Sequence, residues 1–326
     1  MRFHRMLLAV VLAAAVALTP DARPQQPSKP APAPAAPKGP PPPKADRKAT
    51  RVLDNAIKKL DVKKLGWVEA TLWQQFDLQG LKVRGQGSYL AGPDYHLHIR
   101  LKVNVAGTVG RLEHVCDGTT LWRTWEIRRD EPLGKRQVHK LDWKTVLDTL
   151  NRRGIPRQVY DLELQSESFT GMAGLLETLR KGMTVTGQQE AEWDGHAVVK
   201  LTASWSPETV KAAGLGNPPW PYVPDRCEVY LDRSTSWPYR LEWWGKVPPR
   251  TGDGLLLQME FRDPKFHKSL SKERMEREFT FDPGADSPTD ETHVTVGNLT
   301  RFAAQKQATR GQGDKETRRQ GDKPKE

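Results

Sequence analysis

The 326-residue chain is 37% hydrophobic and 28% charged, enough apolar material for one large or two small domains. Of its formal charge of +11, +2 falls on residues 1–17, +4 on 18–50 and +3 on 304–326, which leaves +2 for 51–303 and argues against a basic nucleic-acid footprint on the body. Two cysteines with no Cys-x-x-Cys exclude a metal site built from cysteine alone.

The chain opens with Arg2 and Arg5, an apolar run from Met6 to Leu18, and Pro20. That is the layout of a signal peptide over residues 1–17, with Ala15-Val16-Ala17 as the small-residue cleavage site. The run falls short of the roughly 20 residues that span a bilayer, and no later stretch is apolar enough to do so. An uncleaved anchor is the alternative. Export to the periplasm or another envelope compartment puts Cys116 and Cys227 in oxidising surroundings. They can form a disulfide or stay as two buried thiols. Residues 18–50 are expected as a disordered linker. Its 24–43 stretch holds ten of the chain's 26 prolines and favours extended polyproline II.

The body, expected over 51–303, starts with a helix in which Val52, Leu53, Ile57 and Leu60 recur at helical spacing. Two strands follow, 67–79 and 81–92, joined at Gly80. The cleanest period-two pattern runs from Tyr95 to Val105. Tyr95, Leu97, Ile99, Leu101, Val103 and Val105 share a buried face, and His96, His98, Arg100, Lys102 and Asn104 a wet one. Asp117-Gly118 and Asp194-Gly195 supply hairpin turns between alternating strands, and the pair returns at 253–254. Helices are expected at 142–154, through Trp143, Val146, Leu147 and Leu150, and at 168–182, through Phe169, Met172, Leu175, Leu176 and Leu179. A short helix is expected at 206–214, opened by Ser206 and Pro207. Residues 227–244 read as an aromatic hairpin. Tyr239, Leu241 and Trp243 take the apolar face, and Tyr230 and Trp244 the polar one. Trp237-Pro238 shapes the turn. The charged run "SKERMERE", 271–278, reads as surface, and 304–326 as a disordered tail.

This order lacks the β-α alternation of a doubly wound sheet. It fits an α+β fold, one large curved antiparallel sheet with a few helices on its concave side. Several stretches carry a resemblance to a family: "WVEATLWQQF" with "KVRGQGSYLAGPDYHLHI", the hairpin "CDGTTLW", "VYLDRSTSWPYRLEWW", and the closing "REFTFDPGADSPTDET". Over residues 50–296 the chain resembles the outer-membrane lipoprotein carrier (LolA-like) superfamily. The resemblance implies an unclosed β-barrel, a half-pipe whose helices cover an apolar space that accepts acyl chains. Lining residues are then expected from Leu97, Ile99 and Leu101, from Met172, Leu175, Leu176 and Leu179 on an adaptable helix containing Gly171 and Gly174, and from Tyr239, Leu241 and Trp243. An ordinary packed core is the competing reading of the same residues. The proline spacer and basic tail depart from the classical carriers and suggest a different working geometry.

Catalytic signatures are absent: no Gly-x-Ser-x-Gly, no phosphate-binding loop, no His-Glu-x-x-His and no calcium loop. His96 and His98 share a strand face, but Arg100 and Lys102 continue it and disfavour a cation. The expectation is an exported, monomeric, non-catalytic protein without cofactor or nucleic-acid partner. Its ligand would be a lipid or an acylated protein. The alternative is a sensor or interaction module that uses the same fold to bind an envelope protein or polymer.

Overall fold

The computed structural model describes residues 43–78, 81–105, 107–127, 136–156, 171–206, 224–246 and 253–304. The expected signal peptide, most of the proline-rich linker, the tail beyond residue 304, Gly80, Phe169 and the 206–214 helix past its first residue lie outside them.

Helix α1 (Arg47–Lys59) starts inside the segment expected as linker, because the Asp46 side chain accepts hydrogen bonds from the Lys48 and Ala49 amides and caps it. The short α2 (Val62–Leu65) is capped by Asp61 in the same way. Six strands then run in sequence: β1 (Trp67–Leu78), β2 (Leu81–Ala91), β3 (His96–Val105), β4 (Thr108–Asp117), β5 (Thr120–Ile127) and β6 (Gln137–Asp142). Helices α3 (Trp143–Arg152) and α4 (Gly171–Gly182) interrupt. The sheet resumes as β7 (Met183–Trp193), β8 (His196–Trp205), β9 (Pro224–Asp232), β10 (Pro238–Lys246) and β11 (Asp253–His267). Helix α5 (Lys272–Phe279), the two-residue β12 (Thr289–Asp290) and helix α6 (292–304) close the described chain.

All twelve strands form one sheet in the order β12-β6-β5-β4-β3-β2-β1-β11-β10-β9-β8-β7. Every pairing is antiparallel except β12 on β6. The two ends of this order do not meet, so the barrel is unclosed, as expected. Local chemistry sets the turns. Gly118 and Gly195 sit at positive φ, and the Asp117 and Asp232 carboxylates accept backbone amides two and three residues on. Asp253-Gly254 is no turn: it opens β11. Tyr95, expected at the head of β3, lies in the preceding turn at φ 65°. At Gly87 a Cβ would overlap the carbonyl oxygen of Arg100 on β3, so only glycine fits there.

The concave face carries one continuous core. Ala49, Leu53 and Ala56 of α1, Trp143, Val146 and Leu150 of α3, Met172, Leu176 and Leu179 of α4, and Val296 and Leu299 of α6 all pack into it. Each such large apolar side chain contributes about 1.5–3 kcal/mol by leaving water.

The convex face is not bare. Helix α5 lies over β3 and β4, where Phe279 makes a second, smaller core with Trp67 and Leu90, flanked by Leu270 and Met275. Farther along, Phe281 stacks on Trp122. This corrects the expectation of a wet face and a charged surface run: His98 is only 3% exposed, held by Glu113 at 3.0 Å and Glu278 of α5 at 3.2 Å. His96 packs edge-on to Trp67 and Phe279.

Candidate functional site

The register of the sheet arranges the concave side chains in ranks. One rank crosses six strands as Cys227, Trp243, Leu257, Phe76, Val83 and Val105, all buried. The next runs Val229, Leu241, Met259, Gln74, Gly85 and Val103, so an amide and a glycine break the apolar row at its centre. A further rank starts apolar at Ala70, Tyr89 and Ile99 and ends polar at His114, Arg123 and His139.

Nine of the ten expected lining residues, Leu97, Ile99, Leu101, Met172, Leu176, Leu179, Tyr239, Leu241 and Trp243, are buried in the one core cluster, and Leu175 packs against it half-buried. The aromatic hairpin divides as expected, with Tyr239 and Trp243 inside and Tyr230 on the polar face among Glu228, Glu242, Lys200 and Arg240. Trp237 does more than shape the turn. It is fully buried, and its indole N–H donates to the Phe261 carbonyl at 2.8 Å.

Trp243 is the contrast. It is 1% exposed, and its Nε1–H has no hydrogen-bond partner among the described residues. A buried donor left unpaired costs about 1–3 kcal/mol, so such groups are rare in a finished core. Tyr89 places its hydroxyl near Gly171 at the start of α4, and this buried oxygen likewise has no hydrogen-bond partner among the described residues. Burial pushes that phenol's pKa up.

The disulfide reading is corrected. Cys116 and Cys227 are both free and buried. They sit on β4 and β9 with five strands between them, whereas a disulfide needs Cα atoms within about 7 Å. Burial pushes the Cys116 thiol up to about 12 and the Cys227 thiol well above its usual range, so both are chemically quiet.

The polar end of the third rank was missed in the sequence, where its histidines look scattered. Glu291, at the entrance to α6, accepts from Arg123 and from His139 Nδ1 at 2.9 Å, and the Thr292 hydroxyl accepts from the Asp142 amide at 2.9 Å. Burial and the nearby Arg123 pull His114 down to about 3, which keeps it neutral. The cluster pins α6 to the sheet. Among the described residues, no group of three or more His, Cys, Asp or Glu is placed to hold a metal ion.

No family model matches the chain, and no curated protein matches it. Solved structures do. MucB is similar at 14% identity over 71% of this chain and 62% of its own, with a TM-score of 0.29. LprF from Mycobacterium bovis is similar at 11% identity over 70% of this chain and 96% of its own, with a TM-score of 0.29. A putative outer membrane lipoprotein-sorting protein domain from Vibrio parahaemolyticus is similar at 10% identity over 71% and 97%, with a TM-score of 0.22. At such scores the likenesses carry no argument about ligand or partner, and the unclosed-barrel architecture rests on the sheet order itself.

Proposed function

We propose that this chain is an exported, non-catalytic envelope protein that binds or carries a lipid or an acylated ligand between the concave sheet face and its helices. The observation that carries this reading is the Trp243 indole N–H, a donor in the middle of the apolar layer without a partner among the described residues. An ester or carboxylate oxygen on an otherwise apolar ligand would complete it. Helix α4 supports the same reading, since Gly174 and Met172 face the core and let the helix shift with little steric penalty. The second reading, a module that binds an extended protein segment, is favoured by β7. It is the long edge of the sheet, and its Val185 carbonyl already accepts an amide, that of Asp46.

Native mass spectrometry of the full chain, followed by organic extraction, tests the first reading. Co-purifying lipid that is lost together with the Trp243→Phe donor supports it. A lipid-free protein that gains no mass on incubation with fatty acid or phospholipid overturns it.

A further inference from the structure

The near-neutral body is electrically lopsided. Residues 47–65, the span of α1 and α2, hold seven basic and two acidic residues. Both acids are engaged: Asp54 accepts from Arg180 of α4 at 2.9 Å, and Asp61 caps α2. Asp46, just upstream, caps α1. Arg47, Lys48, Arg51, Lys58, Lys63 and Lys64 are exposed and have no carboxylate partner among the described residues. At 3.6 residues per turn, Arg47, Arg51 and Lys58 fall within roughly 40° of one another around α1, opposite the buried Ala49, Leu53, Ala56 and Leu60. On the convex face Arg100 meets Glu113, Arg274 meets Glu69 and Arg262 meets Glu260, while the exposed Lys82, Lys102 and Arg111 have no ion pair among the described residues but lie on the sheet rather than on a helix.

We propose that this face of α1 and α2 docks the protein peripherally on an anionic lipid bilayer. An array of unpaired cations on a rigid helix complements a surface of phosphate headgroups. Residues 44–65 contain no Phe, Tyr or Trp. The face therefore has no platform for stacking bases, which argues for lipid over single-stranded nucleic acid. The opposite side of α1 packs into the core together with α4. A bilayer held by α1 thus lies against the helical roof of the sheet–helix layer. The inference goes beyond interior binding and does not need it, because a protein stripped of lipid would dock equally well.

Flotation of the delipidated full chain tests it, with vesicles of phosphatidylcholine alone and of equal parts phosphatidylcholine and phosphatidylglycerol. The protein is expected to float with the anionic vesicles at about 0.1 M salt and to stay behind at about 1 M, where the screening length falls from about 10 Å to about 3 Å. It is not expected to float with phosphatidylcholine alone. Reversing three charges, Arg47→Glu with Arg51→Glu and Lys58→Glu, is expected to lower partitioning by at least roughly 100-fold, at about five-fold per lost charge. The neutral set Arg47→Gln, Arg51→Gln and Lys58→Gln should fall between and serves if the reversed set folds poorly by circular dichroism. A control with the same change in net charge, Lys82→Glu with Lys102→Glu and Arg111→Glu on exposed convex positions, is expected to lose less than about ten-fold. Equal loss in the control, full binding by the α1 variants, or binding of a single-stranded oligonucleotide without binding of vesicles would each overturn the proposal.

Discussion

Trp237 and Trp243 make a matched pair, since both indoles are buried in the same core and both can be replaced by phenylalanine. Their substitutions delete the same atoms, so the packing loss largely cancels in the comparison. What differs is the N–H. Trp237 donates to the Phe261 carbonyl, and Trp237→Phe forfeits that bond, a net loss of about 0.5–1.5 kcal/mol. Trp243 donates to nothing among the described residues, and Trp243→Phe relieves an unpaired donor that costs about 1–3 kcal/mol. Trp237→Phe is therefore expected to be the more destabilising of the two by about 2–4 kcal/mol.

Urea unfolding of delipidated protein, followed by far-ultraviolet circular dichroism, reads the difference directly, provided that the slope with denaturant is the same for both variants. Added ligand should narrow or invert the order, because only the wild-type indole can donate to it. If Trp243→Phe costs as much as Trp237→Phe without ligand, its N–H is already satisfied. The interior then holds no spare donor for a polar ligand atom.

Acid should destabilise the fold in two overlapping steps. His114 is held neutral, down at about 3 against an ordinary 6.5, so the unfolded chain takes up its proton first and stability falls as pH drops from 6.5 towards 3. Glu113 is held at about 2, first by its hydrogen bond from His98 and also by Arg100, against an ordinary 4.5. Its contribution is complete above 4.5 and lost as pH falls towards 2. Melting temperature against pH should lose its upper step in His114→Leu and its lower step in Glu113→Gln; unchanged profiles would remove both assignments. Thiol chemistry gives a simpler check. A disulfide-exchange thiol reagent should label neither Cys116 nor Cys227 in the native protein and both after denaturation, with no effect of reductant on gel mobility.

The concave half of the fold was legible because burial on one side of a strand writes a period of two into the sequence. Leu97, Ile99 and Leu101 declare themselves in this way, and Leu176 and Leu179 do so at helical spacing. The convex half was not legible, for the converse reason. Helix α5 covers β3 and β4 with one aromatic, Phe279, and one methionine, Met275, set among six charged residues between Lys272 and Glu278. A patch that small leaves no periodicity, and His98 reads as wet until the helix is seated on it. The disulfide failed on topology. Whether two cysteines approach one another depends on strand order, and β11 returns to pair with β1, which puts β9 and β4 on opposite wings of the sheet.

Charge shows the same gap between a sum and an arrangement. Counted from Arg47 to residue 303 the folded body carries a formal +4, yet α1 and α2 alone hold +5, so the rest sums to −1. The compensating acids lie elsewhere, on strands where arginines and lysines already meet them, such as Glu228 with Lys200, Glu242 with Arg240 and Glu260 with Arg262. Screened over about 8 Å at physiological salt, those distant carboxylates do little to cancel the cations of α1. A surface approaching α1 meets the local excess rather than the total. The sequence could place the lysines opposite the apolar stripe of the first helix. Only the folded chain identifies which carboxylates are engaged and which cations are left without one.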